Sequence, residues 1–250
     1  MLINENIDQG NANKYKAILF IDLDGTLVDF PFRKTVMPFV YEKISKKAGI
    51  PVKKVRHLIV EEENKREILI RNDRYDWDDI TRTVARRLGI EWTHSLVKII
   101  EESNLSKEFV YPESKPTLEQ LIRKGYLLYA ATNGFYRYQN PVLEKLKLKQ
   151  YFKAIITPDT VGHYKNEIGY FKPFLIDGLT PVMIGDEYVY DVVYPKRFGL
   201  KTVWINKPKK SIWNVDEVSK VDISTEKPDM TIRSIEELPK AIETIIRLLQ

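Results

Sequence analysis

Residues 17–29 read AILFIDLDGTLVD, and this stretch decides the fold. Five apolar residues run without a polar break and then stop at two carboxylates, Asp22 and Asp24. An unbroken apolar run of this length suits a parallel strand buried on both faces better than a half-exposed one. Similar runs follow: YLLYAA at 126–131, AII at 154–156, VMI at 182–184 and TVWI at 202–205. Helical patterns lie between them. In PTLEQLIRKG (116–125), Leu118, Leu121 and Ile122 recur at helical spacing and Gly125 ends the pattern. Near the C-terminus, Ser234 and Glu237 form a capping-box pair, and Pro239 falls in the first turn, where proline costs little. Strands alternating with helices predict an α/β fold built on a parallel sheet.

Residues 32–109 break this alternation. They read as successive helices with no good strand: KTVMPFVYEKISKKAG, PVKKVRHLIVEEENKREILI, WDDITRTVARRLG and THSLVKIIEES. The expected organisation is an α/β core from 15–31 and 110–250, an α-helical insert over 32–109, and a polar N-terminal arm over 1–14. The arm lacks the apolar middle of a secretory signal. Of the 250 residues, 43% are hydrophobic, enough for a real core and too many for general disorder. Cysteine is absent, which excludes disulfides, thiolate chemistry and cysteine-ligated metals and fits a cytoplasmic setting. No apolar run approaches the roughly 20 residues that span a bilayer, so no membrane association is expected. The net charge of +5 comes from 40 basic and 35 acidic residues, well mixed, which argues for a solvated surface rather than a nucleic-acid groove. The densest basic cluster, Lys207, Lys209 and Lys210, reads as an exposed loop.

The polar residues that end the apolar runs carry the functional signal. Asp22 and Asp24 close the first run, Thr132 and Asn133 of ATNG the second, and Gly185 and Asp186 of GDEYVYD a later one, with Asp191 five residues on. In an open α/β sheet, ligands bind beyond the carboxyl ends of the strands. Carboxylates gathered there repel one another unless a cation sits between them. A hard oxygen site with few protein ligands suits magnesium, which keeps waters and shares a substrate phosphate. A remaining carboxylate can attack phosphorus. Gly25 and Thr26 are expected to let backbone amides approach the phosphate.

DLDGTLVD, ATNG and GDEYVYD resemble the signature motifs of the haloacid dehalogenase superfamily, in the same order. The resemblance runs from about residue 16 to the C-terminus, and the helical insert lies where that superfamily often carries a cap between its first and second motifs. It implies a Rossmann-like core and a set of roles. Asp22 would be the nucleophile that forms an aspartyl-phosphate. Asp24 would be the general acid and then the general base. The Asp22 carboxylate, the Asp24 backbone carbonyl and the Asp186 carboxylate would hold Mg2+. Asp191 would support the metal site or orient a lysine, and Thr132 and Asn133 would bind the phosphate. Dehalogenases and phosphonatases of the superfamily lack an acid at the position of Asp24, so its presence favours phosphate transfer. The expected activity is a magnesium-dependent phosphatase acting on a small phosphorylated metabolite. A phosphomutase of the same superfamily is the alternative, ahead of a haloacid dehalogenase or a non-catalytic binding module.

The family also requires a lysine from the loop after the third strand. Lys172 precedes a proline, as the family's lysine usually does, whereas Lys165 precedes Asn166. A parallel crossover needs about a dozen residues before the strand near Pro181, which favours Lys165. His57, His94 and His163 show no metal-ligand spacing and read as surface or structural residues. In RNDRYDWDDI (71–80), Asp78 or Asp79 is expected to cap the next helix and Trp77 to staple it, in preference to a substrate-reading face. Tyr188 and Tyr190 read as packing residues.

Overall fold

The computed structural model describes residues 14–69, 72–207, 221–222 and 224–249. Most of the expected arm, and Lys209 and Lys210, lie outside the described residues. The core is a parallel sheet of six strands. Strand β1 (Ala17–Ile21) is central and pairs with β2 (Leu127–Ala131) on one side. On its other side lies β4 (Thr180–Gly185), and β3 (Ala154–Ile156) flanks β2. Strands β5 (Lys201–Ile205) and β6 (Met230–Ile232) extend the sheet beyond β4, giving the order β3-β2-β1-β4-β5-β6. The five apolar runs are the first five strands. β6 reads MTI, with a threonine at its centre, so it offers no unbroken apolar run to mark it in the sequence.

Every residue of β1 and β2 is buried, as unbroken apolar runs require. Ala17, Leu19 and Ile21 enter the apolar cluster on one face, with Leu118, Leu121 and Ile242. Ile18 and Phe20 enter the cluster on the other, where Phe20 stacks on Tyr129 at 5.7 Å and meets the edge of Phe171 at 5.3 Å. Truncating so enclosed a ring costs about 3–5 kcal/mol. The order reverses at β1, whose neighbours β2 and β4 lie on opposite sides, and a crevice opens beyond the carboxyl ends of strands at such a point.

Among the described residues, the segment 32–109 that follows β1 carries four helices: α1 (Met37–Ala48), α2 (Val52–Ile68), α3 (Trp77–Arg87) and α4 (Leu96–Glu102). Val40, Ile44, Val55, Ile59, Ile80 and Val84 pack them together, in an apolar cluster that continues through Phe32 to Leu27 and Leu23 of the core. Arg66 is buried and compensated on several sides, by Glu62 at 2.9 Å, Asp79 at 2.8 Å and Asp73 at 3.2 Å. The chain leaves and re-enters this helical insert side by side: Asp29 N–H donates to Phe109 O at 2.8 Å and Tyr111 N–H to Leu27 O at 3.1 Å.

Helix α5 (Ser114–Arg123) precedes β2 and α6 (Tyr136–Lys145) follows it. The last helix, Leu238–Arg247, is introduced by a short turn headed by the Ser234–Glu237 capping box, with proline in its own first turn. No helix among the described residues is long and apolar enough to cross a membrane.

Candidate active site

Asp22 is the first residue beyond β1, and its N–H donates to Ile184 O of β4 at 2.9 Å, which fixes the carboxylate at the reversal of strand order. Thr132 extends β2 in the same way, its N–H bonded to Ile156 O at 3.2 Å. Lys165 brings these ends together. Its Nζ donates to Asp22 Oδ1 at 2.6 Å and to Asp191 Oδ1 at 2.8 Å, and the side chain is 2% exposed. Burial works against the ammonium, but Asp191 and Asp22 outweigh it and hold the lysine pKa above its ordinary value. Lys165 N–H also donates to Asn133 Oδ1 at 3.1 Å, which orients that amide. Lys172, the other candidate lysine, is exposed. No long helix fills the crossover here; short turns at Ile168–Tyr170 and Lys172–Phe174 carry the chain.

Asp22, Asp186 and Asp191 each offer a carboxylate oxygen, and these oxygens lie within 4.8 Å of one another. Burial, Asp22 and Asp191 push the Asp186 pKa well above the carboxylate range, opposed by Lys207 and a 3.3 Å bond from Thr26 Oγ1. Burial and the charge of Asp22 raise Asp191 too, against the pull of Lys165. Packed carboxylates in this state fit a divalent cation, which would relieve their repulsion.

Two glycines make the packing possible. A Cβ on Gly25, whose φ is +81°, would fall 2.2 Å from Asp186 Oδ2; one on Gly185 would fall 2.0 Å from Asp191 Oδ2. Gly25 is therefore required for the room that Asp186 occupies. The N–H groups of Gly25 and Thr26 themselves are engaged inside the turn: Gly25 N–H donates to Val28 O at 2.8 Å and Thr26 N–H to Leu23 O at 3.2 Å.

Asp24 projects into the same pocket as Asp22, Thr132, Asn133 and Lys165. Burial and the neighbouring Asp22 charge raise its pKa to about 6, while Gln139 Nε2, donating at 3.2 Å, and the Arg33 charge hold it down. A carboxyl poised there can carry or release a proton near neutral pH.

The sequence reading missed several residues of this pocket. Gln139 lies on α6, the helix that starts just after ATNG, so its early turns face the strand ends. Arg33, stacked 4.5 Å over Trp77 and 3.4 Å from Glu63, lines the wall built by the helical insert. The stretch 71–80 departs from expectation. Asp76 is the N-cap of α3, accepting from Asp79 N–H at 3.1 Å, while Asp78 accepts from Leu96 N–H at 3.0 Å. Tyr75 and Trp77 line the pocket, so Trp77 does more than staple the helix. Tyr190 also lines it, and donates to Glu67; Tyr188 packs edge-on against Trp204 at 4.8 Å.

Lys207 is not simply exposed. Its Nζ donates to Gly25 O at 2.9 Å and to Thr26 O at 3.3 Å, and sits 3.5 Å over the Tyr111 ring, which pins the segment after β5 to the turn after β1. His57, His94 and His163 are exposed, and His163 faces Glu167 at 3.5 Å.

A family model described as haloacid dehalogenase-like hydrolase matches residues 15–197. The chain is 24% identical over 245 residues to the glyceraldehyde 3-phosphate phosphatase of Pyrococcus furiosus, spanning 92% of this chain and 93% of that one. It is 25% identical over 247 residues to the phosphoglycolate phosphatase of Aquifex aeolicus, spanning 92% and 98%. Among solved structures it superposes on a HAD phosphatase from Thermococcus onnurineus with a TM-score of 0.68 at 29% identity, covering 91% of this chain and 97% of the other. The L-2-haloacid dehalogenase of Xanthobacter autotrophicus shares the fold, with a TM-score of 0.59 at 17% identity over 92% and 98% of the two chains. The chain belongs to the haloacid dehalogenase-like hydrolases.

Proposed function

We propose that the protein is a metal-dependent phosphatase that hydrolyses a small phosphate monoester through an aspartyl-phosphate on Asp22. One observation carries the reading: Asp22 is held by Lys165 beside a second carboxyl, Asp24, that stays protonatable near pH 6. The relatives named as phosphatases support it.

In this reading the phosphoryl group sits over Asp22, with its oxygens held by Lys165, the Thr132 hydroxyl and the Asn133 amide. Lys165 occupies Asp22 Oδ1, which leaves Oδ2 to attack phosphorus. As the phosphorus–oxygen bond to the leaving group breaks, Asp24 gives its proton to the departing alkoxide. Asp24, now ionised, takes a proton from water, whose oxygen attacks phosphorus and breaks the bond to Asp22. Inorganic phosphate leaves, and Asp24 is again protonated. Asp22, Asp186 and the Asp24 carbonyl would hold a Mg2+ ion, which neutralises charge on the phosphoryl oxygens when bound.

The helical insert over 32–109 acts as a cap that covers the pocket and chooses the leaving group. Arg33 on the Trp77 ring gives that wall a positive, flat surface, suited to a short tail bearing a carboxylate or hydroxyl groups. The test is phosphate release from phosphoglycolate, glyceraldehyde 3-phosphate, a hexose phosphate and an aryl phosphate, with and without magnesium. Release that needs the metal supports the reading. No release from any of them, or unchanged release by Asp22→Asn, overturns it.

A further inference from the structure

Lys165 sits in a stretch that belongs to no strand or helix, between a single helical turn at Pro158–Val161 and the turn at Ile168–Tyr170. Its ammonium must nevertheless hold station between Asp22 and Asp191. The residues on both sides of it are gripped by one buried side chain of the helical insert, Arg74, which is 2% exposed. Arg74 Nη2 donates to Asn166 Oδ1 at 3.0 Å, across 92 positions of sequence. Its guanidinium carbon lies 3.6 Å over the centre of the Tyr164 ring, and its Nε faces Glu67 Oε2 at 3.3 Å. Tyr164 in turn donates its hydroxyl to Asn72 O at 2.7 Å. Glu67 also accepts from Tyr190, the neighbour of Asp191. Contacts from Glu67, Asn72 and Arg74 thus reach both neighbours of the lysine and one neighbour of its second carboxylate.

We propose that Arg74 is a positioning residue for Lys165, so that docking of the helical insert on the core sets the lysine ammonium in register with Asp22. A planar guanidinium stacks on a ring and donates in its own plane at once, and an ammonium does not. Arginine is therefore required to hold Tyr164 and Asn166 together. A displacement of a fraction of an ångström in a group that holds both nucleophile and phosphate costs turnover more than substrate binding. This inference deepens the phosphatase reading and rests on it for its kinetic consequence, but the placement of Lys165 is measurable without any activity.

The experiment compares Arg74→Lys, Asn166→Ala, their double variant and Asn166→Asp with the whole wild-type chain. Exposure of Lys165 is read by acetic anhydride labelling and mass spectrometry, kcat and KM by phosphate release, and the fold by thermal melting. Lys165 is expected to label at least about fivefold faster in Arg74→Lys and Asn166→Ala, with kcat down about tenfold and KM moved less than threefold. The double variant is expected to be no worse than the poorer single one, because both break the same contact. Asn166→Asp, which keeps an acceptor for Arg74, is expected to recover most of the loss. Wild-type labelling of Lys165 in Asn166→Ala, or losses that multiply in the double variant, overturns the proposal. If Arg74→Lys does not fold, Asn166→Ala and Tyr164→Leu decide on the same readings. Faster Lys165 labelling in a protein whose wild type releases no phosphate from any substrate upholds the positioning role and removes the phosphatase reading.

Discussion

Lys165 Nζ lies 2.6 Å from Asp22 Oδ1 although 143 residues separate them in the chain. That single contact joins the end of the central strand to the segment that follows β3 in the chain, and it makes one cation serve two buried acids, Asp22 and Asp191.

Replacing Lys165 by alanine should therefore cost both activity and stability. It strands Asp22 and Asp191 without their counter-charge, a loss on the order of 3–5 kcal/mol when a buried pair is broken from one side. Urea unfolding of the metal-free protein should show it, and magnesium should return part of the loss.

Asp22→Asn keeps the shape of the side chain and removes the oxygen anion proposed to attack phosphorus. Turnover should fall by about a thousandfold or more, because a nucleophile has no substitute in its step. The substitution also removes a negative charge that raises Asp24 and Asp186, so the folded protein should melt no lower than the wild type in the absence of metal. Initial rates and a thermal melt check the two halves.

The acid Asp24 has a pKa raised to about 6, by burial first and by Asp22 second, and Gln139 opposes the shift. In the proposed mechanism the proton that Asp24 gives is present below that value and lost above it, so phosphoryl transfer to Asp22 should decline as pH rises past about 6. Gln139→Leu removes a bond that favours the ionised form and should move this decline to higher pH. Single-turnover rates across pH 5–9 would reveal the move; an unmoved profile would assign the limb to another group.

Burial raises Glu63 from 4.5 to about 7, against the pull of Arg33. The folded state then binds this proton more tightly than the unfolded chain. The stabilisation is complete below about 4.5 and is lost as pH rises through about 7, on the order of 3 kcal/mol for a shift of this size. Glu63→Gln should flatten the corresponding part of the stability–pH curve, which denaturant unfolding at several pH values would show.

Gly25→Ala should damage the proposed metal site more than the fold. The added Cβ meets the Asp186 carboxylate in a backbone conformation, φ +81°, that alanine also resists. The magnesium concentration giving half-maximal activity should rise at least about tenfold, with Lys165 labelling unchanged.

Much of this architecture was legible in the residues. The apolar runs announced β1 to β5 because strands buried on both faces have no polar alternation to hide them. The acids that end those runs were legible for the same reason, as charges that break an apolar rule. Gln139, Arg33 and Arg74 were not. Each is an ordinary polar residue on a polar-rich helix or loop, and what sets it apart is a partner distant in sequence: Asp24 for Gln139, Trp77 for Arg33, Asn166 for Arg74. The N-cap of α3 fell on Asp76 rather than Asp78 or Asp79 because three acids stand in a row of four, and only tertiary bonds, such as the one from Leu96 N–H to Asp78, distribute their tasks. Gly25 was read through the ligand, whereas its lack of a side chain is demanded by Asp186.

The paired crossing of residues 27–29 with 109–111 has an evolutionary reading. A chain that departs and returns through adjacent, mutually bonded strands of backbone leaves almost no gap in the scaffold it interrupts. A module attached in this way can be shortened, enlarged or traded for another without a new path being found for the polypeptide beneath it. Substrate preference can then diversify by exchange of whole inserts while the acids of the core stay where the strand ends put them.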